Sequence, residues 1–137
     1  MTVPANSAYT IDRSVEGSFE GVVDQTTDAL AEEGFGVLCD IDVQHKFEEK
    51  LDEEFPRYRI LGACNPPLAH QALDEEFLLG TLLPCNVIVY EMGDGSVGVS
   101  AVDPETMLSV VDDSDLDVIA TEVKTRLQNV LNALPAA

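Results

Sequence analysis

The most reactive side chains of this chain gather in two neighbouring runs. Ile60-Leu61-Gly62-Ala63-Cys64-Asn65-Pro66-Pro67-Leu68-Ala69-His70 is followed by Gly80-Thr81-Leu82-Leu83-Pro84-Cys85-Asn86-Val87. Together they hold two of the three cysteines, one of the two histidines and three of the seven prolines. Cys64 ends an apolar run just before Asn65-Pro66, which reads as a helix start. Asparagine caps well, and proline suits the first helical position because its missing N–H would be unpaired there. A thiol beside a helix N-terminus meets partial positive charge, which favours the thiolate that attacks disulfides and binds metals. Cys85 opens the second apolar run.

A Cys64/Cys85 pair could serve redox exchange, sulfur handling or soft-metal binding. The competing reading is two small residues packed in the core, since cysteine is among the most buried residue types. Asn65, Pro66, His70, Pro84 and Asn86 flank the pair. Adding His70, about one and a half turns into the same helix, gives a Cys64, His70, Cys85 set suited to zinc or another soft metal. That set lacks the close Cys-x-x-Cys spacing of a typical zinc site. Whether the sulfurs meet depends on topology. Antiparallel neighbouring strands put both at one end of the sheet, whereas a right-handed crossover between parallel strands puts them at opposite ends. Both arrangements remain open in the sequence. Cys39 alternates with Val37 and Ile41 and is expected in the core, and His45, between Gln44 and Lys46, on the surface.

Other catalytic templates are missing. There is no phosphate loop, no Gly-x-Ser-x-Gly elbow and no dinucleotide fingerprint. Acidic pairs such as Glu32-Glu33 and Glu75-Glu76 are better explained as solvated surface. No catalytic residue is assigned, and whether the chain is an enzyme stays open.

The elements that must position these residues can be read from periodicity. Residues 1–7 read as a loose N-terminus and 8–135 as one domain. Ala8 to Val15 alternates like a strand. Ser18 caps a helix whose Phe19, Val22, Val23, Thr26 and Leu30 share a face. Val37 to Val43 alternates again, Gln44 to Phe55 is a short helix ended by Pro56, and Tyr58 to Ala63 is a strand. Val87 to Glu91 and Val97 to Ala101 flank Gly93-Asp94-Gly95-Ser96, a hairpin signal. Asp103-Pro104 starts a helical turn, and Ser114 or Asp115 opens a long amphipathic helix ended by Pro135. The order predicts an α+β fold: a single two-layer domain of about five strands, in a mostly antiparallel or mixed sheet with helices packed on one side.

Composition narrows function. With 26 acidic against 7 basic residues, the net charge is −19 and the pI about 4.1, while 45% of residues are hydrophobic. The acids are spread along the whole chain, unlike a disordered acidic tail. Such a surface fits high salt, where repulsion is screened within about 3 Å at 1 M, and resembles that of proteins from salt-loving archaea. An acidic face for cations or a basic partner is the alternative. No basic stripe exists for phosphate contacts, which excludes nucleic acid. The first residues lack signal-peptide character and no apolar run reaches membrane-spanning length, so a cytoplasmic protein with no membrane association is expected. Free thiols are expected there.

The pattern Ile60-Leu61-Gly62-Ala63-Cys64-Asn65-Pro66 with Ala69-His70 and Ala72-Leu73 resembles that of the domain-of-unknown-function family 302. So do Gly80 through Val87, Val89-Tyr90-Glu91, Val99 through Pro104, Met107 and the closing helix. The match runs over nearly the whole chain from Tyr9. Lys50-Leu51-Asp52-Glu53-Glu54 departs from the Lys-Leu-Gly type stretch usual there, consistent with acidic surface adaptation. The resemblance implies a small α/β domain, often a homodimer, with no established activity, and gives weight to Cys64 and Cys85. Three functional expectations remain. One is a thiol site at Cys64/Cys85. The second is a homodimeric module that binds a small ligand or a protein, with the cysteines as core packing. The third is a structural or interaction protein in which both thiols are core packing.

Overall fold

The protein is described from a computed structural model covering residues 7–137; residues 1–6, most of the expected loose N-terminus, lie outside the described residues. In chain order the strands are β1 (Thr10–Val15), β2 (Gly36–Asp42), β3 (Tyr58–Cys64), β4 (Cys85–Glu91) and β5 (Val97–Val102). The helices are α1 (Phe19–Glu32), α2 (Val43–Leu51), α3 (Pro66–Glu75), α4 (Pro104–Leu108) and α5 (Ser114–Asn132), with a 3-10 turn at Phe77–Leu82. The strands form one sheet in the order β1-β5-β4-β3-β2, antiparallel at every pairing. This is the expected α+β fold.

Strand alternation divides the sheet into two unlike faces. Val15, Leu61, Ala63, Val87, Val89, Val97, Val99 and Ala101 are almost fully buried on one face, together with Leu30 of α1 and Leu127 and Val130 of α5. Each buried valine or leucine contributes about 1.5–3 kcal/mol, so this layer anchors the fold. The helix caps follow the sequence. Ser18 Oγ accepts from the Gly21 N–H, and Asn65 Oδ1 accepts from the Leu68 N–H. Asp113 caps α5, which opens at Ser114.

The opposite face carries Ile41, Ile60 and Ile88 side by side across three strands, with Tyr58 paired to Tyr90. Tyr90 lies over Gly98, where any Cβ would collide with its ring. Its hydroxyl hydrogen-bonds Ser100 Oγ, which donates to Asp12. An aromatic chain of Phe47, Phe55, Tyr58 and Tyr90 carries α2 to this second face.

Two sequence expectations are corrected here. The helix over Gln44 to Phe55 stops at Leu51, because Asp52 turns into the left-handed region at φ 52°. Pro56 moreover disfavours a helical conformation at Phe55, whose ring folds back against Phe47 at 5.0 Å between centroids. Cys39 is exposed, not core. A register shift between Val37 and Cys39 moves it opposite Gly62 on the second face, where the missing side chain of Gly62 leaves room for its sulfur.

Candidate functional site

Cys64 ends β3 and Cys85 begins β4, and these strands are antiparallel neighbours with Ala63 directly opposite Cys85. Both cysteines therefore lie at the same end of the sheet. The Leu83–Pro84 peptide, which is cis, leads the chain into Cys85. Burial, together with the nearby Cys64, pushes the Cys85 thiol up to about 11 from its ordinary 9.0. At neutral pH Cys85 is thus a neutral thiol, since desolvation penalises the thiolate.

Both sulfur-bearing residues line one cavity of about 310 Å³. Its floor is the sheet end, made by Ala63, Cys64, Pro84 and Cys85. Leu68, Ala69, Ala72 and Leu73 of α3 form one wall, and Leu79 and Gly80 of the 3-10 turn close beside them. Pro104, Met107 and Leu108 of α4 and Ile119 and Val123 of α5 complete the lining, with Phe35 and Leu38 at the β2 side, and the cavity stays half open to solvent. No charged residue lines it; Asn65 is its one polar side chain apart from the thiols. The Asn65 amide is already engaged, accepting from Leu68 N–H and donating to the Glu33 carbonyl at 3.4 Å. The interior is consequently apolar, with soft sulfur atoms as its distinctive chemistry.

The structure brings Cys64, Asn65, Pro84 and Cys85 together and leaves the other flanking candidates apart. Pro66 sits at the exposed first turn of α3. Asn86 pairs with Gly62 and projects from the second face. The His70 side chain is 79% exposed and its Nδ1 lies 3.3 Å from Asp74, outside the cavity lining. The set Cys64, His70, Cys85 is accordingly not assembled, because the helical turn that carries His70 faces solvent. Among the described residues, the one group of three histidine, cysteine or carboxylate ligand atoms within 4.8 Å of each other is Glu75, Asp113 and Asp115. Asp115 and its acidic neighbours raise the Glu75 carboxyl above its ordinary value, and Asp113 serves as the α5 cap.

Sequence reasoning missed the far side of the cavity. Met107, Ile119 and Val123 carry an apolar signal that reads equally well as core. Nothing in the chain marks Leu38, which the register shift delivers to the rim.

A family model described as "Domain of unknown function DUF302" matches residues 11–134. The chain belongs to this family. No curated protein matches it significantly. This DUF302 chain is similar to the crystal structure of an uncharacterized conserved DUF302 protein from Bacillus stearothermophilus. The two are 28% identical, and the alignment covers 93% of this chain and 99% of that one with a TM-score of 0.88. Two proteins so distant in sequence share one fold over nearly their whole lengths. No helix among the described residues is long and apolar enough to cross a membrane.

Proposed function

We propose that this DUF302 domain is a binding module for a small, uncharged, apolar molecule held in the cavity between the sheet end and α3–α5. The observation that carries this reading is a cavity of about 310 Å³ with no charged lining residue. Ligand pockets start at about 300 Å³ and are mostly apolar with few polar groups. At about 30 Å³ for a water-sized unit, the space admits a ligand of about ten carbon-sized atoms. A charged ligand would lose hydration with no partner inside. Binding of an uncharged naphthalene-type fluorescent probe tests the reading. Saturable binding at one site per chain supports it, and a linear, unsaturable response contradicts it.

A second reading, a thiol site for redox, sulfur handling or a soft metal, is favoured by one specific observation: Cys64 and Cys85 share the cavity wall. The neutral Cys85 thiol argues against a resting nucleophile there. Alkylation by a small uncharged reagent separates the readings. Rapid loss of both thiols supports a reactive site, whereas protection by bound probe supports a ligand wall.

The same proposal includes a homodimer formed through the second sheet face. In a chain of net charge −19, Ile41, Ile60 and Ile88 form an apolar row across this face, and the one carboxylate continuing that row, Asp12, accepts a hydrogen bond from Ser100. Light scattering of Ile60→Lys tests this. A shift to monomer supports the interface, and an unchanged mass removes it. A cytoplasmic protein adapted to high salt completes the reading, on the strength of acids that cover the exposed surface.

A further inference from the structure

We propose that Cys64 and Cys85, with the thioether of Met107, form a binding site for a monovalent copper ion. This rests on the second reading above, the thiol site, and gives it a ligand. Cys64 and Cys85 come from neighbouring hydrogen-bonded strands, and both line the same cavity. Met107 lines the same cavity from α4. Its three rotatable bonds and polarizable sulfur let it adapt to a ligand in an irregular space.

The donor inventory decides which ion fits. Three sulfur-bearing side chains line the cavity, with no carboxylate and no imidazole among them. The amide of Asn65 is committed to Leu68 and Glu33. Zinc in closed protein sites takes four ligands in a tetrahedron, and this site has no fourth donor because His70 faces solvent against Asp74. Thiolate and thioether donors select soft ions, and monovalent copper is satisfied by two or three of them. Oxygen-seeking cations find nothing here.

The binding step balances without any electron transfer. One copper ion displaces one proton from each of two thiols, two copper–sulfur bonds form, and two protons leave to solvent. Met107 adds a neutral sulfur. Because thiols must deprotonate to bind, occupancy rises with pH. The two thiols are the ionisable groups lining the cavity.

The test is anaerobic titration of the reduced, full-length chain with monovalent copper against a chromophoric copper chelator. Zinc is titrated in parallel, and naphthalene-probe binding is read on the same preparations. The expected result is one copper per chain with sulfur-to-copper absorption in the ultraviolet, and no comparable retention of zinc. Cys64→Ser and Cys85→Ser should each lose more than ~10-fold in affinity, and Met107→Leu a smaller factor. Cys39→Ser, at the exposed cysteine on the other face, should bind as the wild type does. Because Cys85→Ser alters a buried position, circular dichroism is read on every variant, and Cys64→Ser alone decides if Cys85→Ser unfolds. Undiminished binding in Cys64→Ser, loss in Cys39→Ser, or zinc held as tightly as copper would each overturn the proposal. Copper bound without probe binding leaves this proposal standing and removes the apolar-ligand reading. Probe bound without copper does the reverse.

Discussion

Removing the Cys85 thiol should flatten the alkaline loss of stability in a calculable way. In the folded protein this thiol holds its proton up to about 11, whereas its ordinary value is 9.0. A group whose value is raised on folding contributes stability that is complete below the unfolded value and is lost as pH rises through the folded one. Between about 9 and 11 the unfolded chain has released this proton and the folded chain has not. Each unit of that gap corresponds to about 1.4 kcal/mol. The full window therefore costs about 3 kcal/mol, with little discount for solvent because Cys85 is only 8% exposed. Tyr58 and Tyr90 are also raised by burial, and Lys124 by its bonds to Glu105 and Asp103. All three destabilise in the same direction at high pH, but wild type and Cys85→Ala share them. The difference between the two proteins isolates the thiol. Urea unfolding at fixed salt, repeated through the window, should show the wild type losing stability faster than Cys85→Ala, with the gap closing by about 3 kcal/mol. Parallel pH profiles would refute the burial argument for Cys85.

Four further outcomes follow from the same geometry. Ala69→Leu extends a side chain from α3 into the cavity and should raise stability by about 1 kcal/mol while weakening probe binding; a stability loss in urea melts would show that the space is already filled. Gly98→Ala places a methyl against the Tyr90 ring and should cost about 1–3 kcal/mol in the same assay, a neutral result meaning that Tyr90 moves freely. Asn65→Ala deletes the α3 cap and the bond to Glu33, costing about 1 kcal/mol. If its stability equals the wild type's, the cap carries no weight. Thermal midpoints should rise from about 0.01 M to molar salt, as screening shortens from about 30 Å to about 3 Å; a flat profile would contradict salt adaptation.

Much of the architecture is written in local patterns. The alternation of Val37 to Val43 and of Val97 to Ala101, the Ser18 and Asn65 caps and the α5 stripe each encode their element within a few residues. The placing of Cys64 and Cys85 at one end of the sheet was not legible, because it depends on whether β3 and β4 run antiparallel, a non-local choice. Cys39 misled for a related reason: one register shift reverses the face of a residue while leaving its sequence alternation intact. The cavity was hidden because Met107 and Ile119 bear the same apolar signature whether they pack against side chains or border empty space. His70 looked like a ligand by type, and only the rotation of α3 shows that it points to solvent.

The most direct test of the account is a fluorescence titration of the natively folded protein with an uncharged naphthalene-type probe, alongside Ala69→Leu. Saturation at one probe per chain, much weakened in the filled variant, is the predicted result. Failure to saturate, or equal binding by Ala69→Leu, would contradict the cavity as a ligand site.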